Sequence, residues 1–471
     1  MSTTIKPYID ADILPLLKNK KRLIALKNLH EGPVHIIFPH IMNKNINRFK
    51  EIFSELGLQV KIHYAHKTNK SITFLQEAYK AGINIDVASK SELVNALSAG
   101  FTGKMISCTG PKNTSFLRLA IQHDCLISLD CLSELEEIVE ISTIYQNKKV
   151  NILIRLNNFE LKDRNVSTYI SKFGITQDQL TQCYSIIRSN KQIVLKGFQL
   201  HRDEKTSEIK SRYIENLISI MEDALQQGFP VEILNTGGGY RELEIAQYQD
   251  WQSYIENIQA KMLNNEPTNT WMNFNYGMNL NEAHKVSGSE KAKARIKNIK
   301  DRALLVESFN NDEIRGRKLA DIVRDFGFSV MIEPGYALVQ HAGVTIVSIL
   351  SVKQIANGDC LIVLNANALN FSWHMPEMVA DPVLIAKEEN NVEFEGYIVG
   401  NLCRETDIIM KRKICFPTTP QVGDLLVFIN TAGYTSDFED ATPIQHPAGK
   451  KFVAIPNDNE FDISSEENYL A

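Results

Sequence analysis

Short apolar segments recur along the first 340 residues of the chain, and each is followed by polar or turn-forming residues. Between most of them, apolar residues recur every three or four positions, which is the period of an α-helix. We predict helices over Ser91–Ala99, Leu132–Thr143 and Arg212–Gln227. The predicted strands are Gln59–His66, Asn84–Ser89, Met105–Thr109, Leu126–Asp130, Val150–Leu156, Leu195–Leu200, Val231–Asn235 and Ser329–Ile332.

The alternation of strands with helices predicts an α/β fold, and eight repeats favour a TIM (β/α)8 barrel over an open doubly wound sheet. No G-x-G-x-x-G motif opens a helix after the first strand, which further disfavours a dinucleotide-binding sheet. The repeat is interrupted once, because over ninety residues separate Gly239 from Glu333, where about 30 to 40 would hold one helix and its loops. We interpret residues 245–325 as an insertion, either a lid or an oligomer contact.

From about residue 341 onwards the chain changes to short β-rich segments that are separated by turns, which predicts an all-β domain. These segments are Gly343–Val352, Asp359–Leu364, Val392–Gly400, Ile408–Cys415 and Leu425–Asn430. Val34–Phe38 is also β-like but precedes the regular repeats, so we expect it to complete this second domain. The predicted domains are a segment 1–39 joining the β-domain, a barrel 40–340 and the β-domain 341–471. The acidic, polar tail 457–471 is expected to be loosely ordered.

Composition narrows the class of protein. Apolar residues make up 44% and charged residues 23% of the chain, which is typical of a soluble globular enzyme. A formal charge of −5 gives no reason to expect nucleic acid or an anionic membrane as partner. No run of about 18 apolar residues is present, and Met1–Lys18 lacks the core of a signal peptide, so we expect a cytoplasmic protein. Seven cysteines without a C-x-x-C pair indicate reduced thiols and no structural metal.

Candidate reactive residues follow four of the predicted strands: Lys67 the first, His201 the sixth, Gly237–Gly239 the seventh and Glu333 the eighth. In a closed parallel barrel these strand ends share one rim. A lysine can form a Schiff base, glycines admit a phosphate and a carboxylate can hold a pyridine nitrogen, so the set predicts a pyridoxal phosphate site. Taken singly, each has an ordinary alternative: a solvated lysine, a flexible turn, a structural histidine, or a carboxylate satisfied by Arg155.

Further candidates lie outside these four positions. Asp86, on the second strand, can support the cofactor, whereas Glu92 falls in the first turn of a helix that Ser89 or Ser91 can cap. Cys403 lies among turn-forming and charged residues and is a candidate proton donor, although a lone thiol is more often inert. Tyr434 follows a glycine and can reach a phosphate or a ring.

Together these segments resemble the fold type III pyridoxal-phosphate-dependent decarboxylases, the group of diaminopimelate, ornithine and arginine decarboxylases, with alanine racemase as a more distant relative. The resemblance runs in order from Val34 to about Phe438, apart from the insertion. Its motifs are Tyr64–Asn69, Asp86–Leu93, Gly237–Gly239, Glu333–Gly335, Leu402–Asp407 and Ala432–Thr435.

The resemblance implies a role for each cofactor-binding residue. Lys67 would carry pyridoxal 5′-phosphate as an imine, His201 would stack on its ring, and Glu333 would bind the pyridine nitrogen. Gly237–Gly239 would bind the phosphate, and Tyr434 would contact the phosphate region.

The resemblance also implies a homodimer with shared active sites. Cys403, offered from the neighbouring subunit of a head-to-tail dimer, would protonate the substrate carbanion after CO2 leaves. Asp86, Glu92 and Arg155 match supporting positions of the family.

Three departures from the family pattern change the expectation. The family motif Glu-Pro-Gly continues with an arginine on the phosphate, but this chain has Tyr336, which becomes a candidate for substrate contact. The serine that follows the histidine in the family is replaced by the sequence 202–204, Arg-Asp-Glu. The residue after the cysteine, often acidic in members that act on a distal amine, is Arg404 here.

Arg404 suggests a substrate whose distal end is anionic or bears a carboxylate beside an amine, such as the citrate-conjugated diamino acids of siderophore-type assembly. The alternative is that Arg404 pairs with Glu405 or Asp407. We therefore predict a carboxy-lyase acting on an amino acid or an amino-acid conjugate. A racemase that uses Lys67 and a tyrosine, and a non-catalytic cofactor binder, remain as alternatives.

Overall fold

A computed structural model describes residues 3–145, 148–157, 171–203, 206–296, 300–371, 378–437, 443–458 and 460–470. The chain divides into two compact units. One consists of Met42–Arg241 and Ile299–Leu338, and the other of Met1–Ile41, Glu242–Asn298 and Val339–Ala471. Glu204, one of the residues that follow the candidate histidine, lies outside the described residues.

The strands are β1 (Val34–Ile37), β2 (Val60–Ala65), β3 (Asn84–Val87), β4 (Ile106–Cys108), β5 (Leu126–Leu129), β6 (Val150–Arg155), β7 (Ile193–Gln199), β8 (Ile233–Asn235), β9 (Asn279–Leu280), β10 (Val286–Ser287), β11 (Ser329–Ile332), β12 (Gly343–Gln354), β13 (Cys360–Leu364), β14 (Val383–Ile385), β15 (Phe394–Val399), β16 (Ile408–Phe416), β17 (Leu425–Ile429), β18 (Lys450–Asn457) and β19 (Glu460–Ser465). The helices are α1 (Leu14–Lys18), α2 (Lys20–Lys27), α3 (Pro39–Glu55), α4 (Ile72–Lys80), α5 (Lys90–Ser98), α6 (Thr114–Gln122), α7 (Leu132–Ser142), α8 (Leu180–Ser189), α9 (Ser207–Gln226), α10 (Tyr248–Leu263), α11 (Ser289–Lys293), α12 (Asp301–Asn310), α13 (Leu319–Asp325), α14 (Tyr336–Val339) and α15 (Glu466–Leu470).

Eight parallel strands close into a barrel in the order β11, β2, β3, β4, β5, β6, β7, β8. The prediction of a (β/α)8 barrel is therefore confirmed, and all eight predicted strands are present. Closure comes from β11, which pairs on one side with β2 (Ile332 opposite Ile62) and on the other with β8 (Val330 opposite Leu234). The carboxyl ends of β2 and β11 consequently lie side by side, which brings the Lys67 and Glu333 loops together.

Amphipathic helices cover the barrel. In α9, the buried residues Ile214, Leu217, Ile218 and Met221 recur at helical spacing, so one face of the helix is apolar. Thr206 caps this helix, because its hydroxyl accepts the Ile209 N–H at 3.4 Å. Among the described residues, no helix combines the length and the apolar character needed to cross a membrane.

The second unit contains a mostly antiparallel sheet with the path β16, β15, β13, β12, β1, β18, β19, and β17 pairs with β12 and β14. β1 lies between β12 and β18, pairing antiparallel with the former and parallel with the latter. This confirms that Val34–Phe38 joins the second domain. A hydrophobic core of this second unit is formed by buried apolar side chains of β12, β13 and β15 to β17, including Val347, Ile362, Ile398 and Leu426.

The tail was expected to be loosely ordered, and this expectation is wrong. Residues 460–465 form β19, which pairs antiparallel with β18, and α15 follows directly. Phe461 is buried, with its ring 5.5 Å from that of Phe38. Because the tail alternates inward and outward positions, a few apolar side chains suffice to hold a largely polar strand.

The long segment between the seventh and eighth barrel strands belongs in part to the second unit. Residues 242–298 group with that unit, while 299–338 stay with the barrel. Trp251, Ile255 and Ile258 of α10 form a cluster with Ile5 of the N-terminal segment. The domain boundaries drawn from the sequence remain a prediction, and the role of the segment as a lid or an oligomer contact is untested.

Candidate active site

Lys67 lies in a short 3-10 turn, His66–Thr68, directly after β2. Its side chain is exposed, whereas both flanking residues are buried. The turn packs on the loop after β11, because a Cβ atom at Gly335 would collide with the Thr68 hydroxyl, and the Ala65 N–H donates to the Pro334 carbonyl at 3.3 Å. Lys67 is thereby held on the barrel rim next to Glu333.

The carboxylate of Glu333 is buried and accepts hydrogen bonds from two side-chain amides. The Gln199 Nε2 donates to its Oε1 and Oε2 at 2.7 and 2.8 Å, and the Asn235 Nδ2 donates to Oε1 at 2.7 Å. Burial raises the pKa of this carboxyl, while the Asn235 hydrogen bond and the charges of Arg155 and Lys67 oppose the rise. Glu333 is therefore an oriented carboxyl that holds a proton more readily than an exposed one.

Asp86 lies at the rim end of β3 and is also buried. Its two oxygens accept hydrogen bonds from Ser107 Oγ and Thr109 Oγ1, each at 2.8 Å. Burial raises the pKa of Asp86 well above its usual range, and the nearby negative charge of Glu333 raises it further, against the charge of Lys67. Lys67, Asp86 and Glu333 thus form one electrostatic group.

The buried His63 contacts Asp86 indirectly, through the hydroxyl of Ser107. His63 Nδ1 lies 3.0 Å from Ser107 Oγ, and the Asn84 Nδ2 lies 3.1 Å from His63 Nε2. Burial lowers the pKa of His63 to about 3, so its ring is neutral. Because Ser107 donates its proton to Asp86, the ring donates through Nδ1 and accepts from Asn84 through Nε2. This chain of hydrogen bonds orients Asp86.

Gly237–Gly239, which we call the glycine cradle, form a stretch of backbone without side chains that packs closely against neighbouring residues. Gly237 has φ +68°, and its N–H donates to Asn235 Oδ1 at 2.9 Å. The Gly238 N–H donates to His201 Nδ1 at 2.9 Å, which orients this exposed imidazole. A Cβ atom at Gly238 would collide with the Glu333 carbonyl oxygen, and one at Gly239 would lie 3.0 Å from the Asp203 Cα. Only glycine fits at 238.

Arg155 is half-buried and forms an ion pair with Asp130 at 3.7 Å, and its guanidinium lies 4.5 Å from the centre of the Phe173 ring. Its positive charge opposes the rise of the Glu333 pKa, but the hydrogen bonds to that carboxylate come from Gln199 and Asn235. Two side-chain amides, rather than Arg155, therefore donate the hydrogen bonds that Glu333 accepts.

Tyr336 begins α14 immediately after the Glu-Pro-Gly loop. Its half-buried ring lies under the guanidinium of Arg241, which is 5.2 Å from the ring centre. Arg241 follows the glycine cradle in the chain, so the loops after β8 and β11 meet at this pair.

Cys403 and Arg404 belong to the second unit, on a turn between β15 and β16 that we call the 400–407 turn. Both side chains are exposed. The buried Asp407 holds the turn, because its Oδ1 accepts the Ala368 N–H at 2.7 Å and its Oδ2 accepts the Leu402 N–H at 2.8 Å. The Asp407 carboxylate is thus occupied by backbone groups, which disfavours its pairing with Arg404.

Tyr434 and Glu92 occupy local motifs. Tyr434 is half-buried at φ +60°, a left-handed conformation that is strained for a large side chain and is enriched at functional sites. Glu92 accepts the Ala88 N–H at 2.7 Å, and its own N–H donates to Ser89 Oγ at 3.2 Å. Glu92 is therefore part of a helix cap, as the capping alternative predicted.

Sequence reasoning missed several residues that shape the site: Gln199, Asn235, Ser107, Thr109, His63 and Arg241. Gln199 and Asn235 are the last residues of β7 and β8. A polar residue at the carboxyl end of a parallel barrel strand lies at the rim, so this signal was present in the sequence.

Family models match most of the chain. Residues 41–272 match the pyridoxal binding domain of the pyridoxal-dependent decarboxylases, and residues 168–432 match the C-terminal sheet domain of the same family.

Individual relatives and solved structures agree with this match. The uncharacterized protein y4yA of Sinorhizobium fredii is 27% identical over 434 residues, which cover 90% of this chain and 88% of that protein. Diaminopimelate decarboxylase of Staphylococcus aureus is 24% identical over 426 residues, which cover 87% of this chain and 86% of that protein. The crystal structure of diaminopimelate decarboxylase from M. jannaschii shares the fold, with a TM-score of 0.68 at 18% identity over 95% of this chain and 93% of that one. With its closed barrel, its sheet domain and both family models matched, the chain belongs to the fold type III pyridoxal-phosphate-dependent decarboxylases of the diaminopimelate, ornithine and arginine type, which are amino-acid carboxy-lyases with pyridoxal 5′-phosphate as cofactor.

Proposed function

We propose that this decarboxylase acts on an amino acid, or an amino-acid conjugate, that carries a carboxylate at its distal end. The observation that carries the proposal is Arg404, an exposed cation beside Cys403 on the 400–407 turn. The relatives named diaminopimelate decarboxylases support it, since diaminopimelate has a carboxylate beside its distal amine. A citrate-conjugated diamino acid of siderophore-type assembly would satisfy the same charge.

The barrel rim fits the cofactor of the family. Lys67 would hold it covalently through Nζ, and the oriented imidazole of His201 would lie against its ring. The cradle would face its phosphate, because a chain without Cβ atoms allows close approach to the backbone. When bound, the cofactor supplies an electron sink for the electron pair left on Cα as CO2 departs.

Glu333 would keep a proton on the pyridine nitrogen. Its carboxylate is aimed by Gln199 and Asn235, so little reorganisation is required during the reaction. A positive pyridinium would also offset the cost of burying this carboxylate. Asp86, the second buried acid, would support Lys67 and the cofactor from β3.

We further propose a head-to-tail homodimer in which the 400–407 turn of one subunit enters the site of the other. The exposure of Cys403 and Arg404 supports this arrangement, as does the anchoring of the turn by a buried aspartate. Cys403 would return a proton to Cα, and Arg404 would bind the distal carboxylate. Tyr434 would complete the phosphate side.

The test is a CO2-release screen over diamino acids with and without a distal carboxylate, repeated with Arg404→Glu. We expect the KM of the carboxylate-bearing substrate to rise about 10- to 100-fold, as expected when an ionic contact becomes repulsive. The kcat should change little, since Arg404 does not contact the reacting bonds. Glu405→Gln, at the exposed neighbouring position, is the matched control. An unchanged KM in Arg404→Glu would refute the proposed specificity.

A further inference from the structure

We propose that Arg241 supplies the positive charge that binds the phosphate of the cofactor. This proposal rests on the cofactor of the family and not on the substrate proposed above. In this chain Tyr336 stands at the position after Glu-Pro-Gly, where the family pattern has an arginine on the phosphate.

The glycine cradle alone provides little compensation for the charge of a phosphate. Two of its three N–H groups already donate within the protein, from Gly237 to Asn235 and from Gly238 to His201. A Cβ atom at Gly239 would lie 3.1 Å from an Asp203 carboxylate oxygen, so a negative group borders the cradle. A phosphate monoester carries about 1.5 to 2 negative charges near neutral pH. A side-chain cation beside the cradle would supply this compensation.

Arg241 is placed to provide that cation. It follows Gly239 by two residues, and its backbone N–H group donates to Asp301 Oδ1 at 2.7 Å. Asp301 is only 1% exposed, so the backbone is anchored at the point where the cradle ends. The guanidinium lies over Tyr336, which follows the Gly335 that packs on Thr68. These are the loops after the seventh and eighth barrel strands, where parallel barrels commonly bind phosphate.

Tyr336 has a defined part in this arrangement. A guanidinium stacks well on an aromatic face and remains a fork-shaped donor for phosphate oxygens. The tyrosine ring would therefore support the arginine at the place where the family pattern has its own arginine. The charge is kept while its position in the sequence moves from residue 336 to residue 241. Tyr336 would then serve the cofactor rather than the substrate.

Two other cations near the cradle have different positions. The Arg202 guanidinium lies over the Tyr213 ring, 5.1 Å from its centre. The buried Lys210 donates from Nζ to the Thr236 carbonyl at 2.9 Å, behind the first glycine. Arg202 is a suitable control, since it is an arginine in the loop after the candidate histidine.

The experiment measures the dissociation constants of pyridoxal 5′-phosphate and of pyridoxal, which lacks the phosphate, with full-length cofactor-depleted protein. Arg241→Gln should weaken binding of the phosphorylated cofactor about 10- to 100-fold, since charge-assisted hydrogen bonds to phosphate are among the strongest in proteins. Binding of pyridoxal should be unchanged, and Arg202→Gln should leave both constants unchanged.

A reciprocal variant sharpens the test. Adding Tyr336→Arg to Arg241→Gln should recover affinity for the phosphorylated cofactor, because the two positions face the same group. Unchanged affinity in Arg241→Gln, an equal loss for both ligands, or no recovery in the double variant would overturn the proposal. Because the readout is binding, a failed substrate screen would leave this result intact.

Discussion

The barrel rim and the 400–407 turn hold their functional groups in opposite ways. At the rim, Glu333 and Asp86 are buried, and each carboxylate accepts hydrogen bonds from side chains on, or directly after, other strands. On the turn, Cys403 and Arg404 are exposed, and the buried Asp407 orients them only through the backbone. We expect the rim to resist substitution because its residues are hydrogen-bonded to one another, whereas Cys403 and Arg404 can change without removing the hydrogen bonds of Asp407.

This difference suggests a division of labour. A cofactor common to the whole family requires a fixed constellation, which a network between strands provides. Substrate specificity requires side chains that can change from one member to the next, and an anchored turn provides those. We therefore expect rim variants to alter cofactor binding, and turn variants to alter substrate use or proton return while cofactor binding stays unchanged.

The largest effects should come from removing one reactive group from each region. Lys67→Ala and Cys403→Ala should each lower kcat, the former at least about 10³-fold and the latter about 10²- to 10⁴-fold. Lys67→Ala should also abolish the visible absorbance of the bound cofactor. Both side chains are exposed, so thermal unfolding of the cofactor-free protein should change little. Cys131→Ala, at another exposed cysteine, is the control and should keep full activity.

Mixing the two inactive variants tests whether the regions meet across a subunit boundary. In a dimer with shared sites, half of the random pairs are mixed, and each mixed pair has one intact site, so about a quarter of the activity should return. Gel filtration of the mixture reports whether dimers form. If subunits exchange between the two variant dimers and the mixture still stays inactive, both residues act within one subunit.

A smaller effect is expected from weakening the support of the turn. Asp407→Ala leaves the Leu402 and Ala368 N–H groups without their acceptor, so we expect a loss of about 1 to 3 kcal/mol in the free energy of unfolding. The kcat should fall about tenfold through misplacement of Cys403. The dissociation constant of the cofactor should not change, and denaturant unfolding with a cofactor titration measures all three quantities. A loss of cofactor affinity would contradict the division between the regions.

The two regions also differ in how much of them could be predicted from sequence. The rim candidates followed from position alone, because parallel strand ends must share one edge of a closed barrel. Gln199 and Asn235 also end barrel strands, so the same rule places them on the rim. Their pairing with Glu333 does not follow from that rule, since they lie 134 and 98 residues away from it in the chain. The relation between Arg241 and Tyr336 also depends on two loops meeting in space, which no local pattern encodes.

The C-terminal tail and the 242–298 segment likewise depend on contacts with distant residues, which the sequence does not predict. Strand β19 is polar overall and is held by its pairing with β18, and helix α10 of the 242–298 segment packs on Ile5 of the N-terminal segment. Local composition predicts neither partner. Contacts between distant segments therefore account for most of what the sequence left open.

The smallest effect is the pH dependence that the buried acids impose on the cofactor-free protein. Burial and the charge of Glu333 raise the pKa of Asp86 in the folded state above its ordinary value of 3.8. The folded protein therefore binds this proton more tightly than the unfolded chain does. The resulting stabilisation is fully present below the ordinary value and is lost as the pH rises through the raised folded value. The contribution of Asp86 to stability is therefore smaller at pH 8 than at pH 5.

Asp86→Asn removes this titration. We expect its melting temperature without cofactor to exceed that of the wild type by a few degrees at pH 8, and the difference to shrink as the pH falls towards 5. Differential scanning calorimetry across this range measures both curves, and Asp178→Asn, on the surface, is the control. Bound cofactor should reduce the difference, because a positive pyridinium stabilises the buried negative charges. A constant offset at all pH values would mean that the hydrogen bonds of Asp86, rather than its charge, set its contribution to stability.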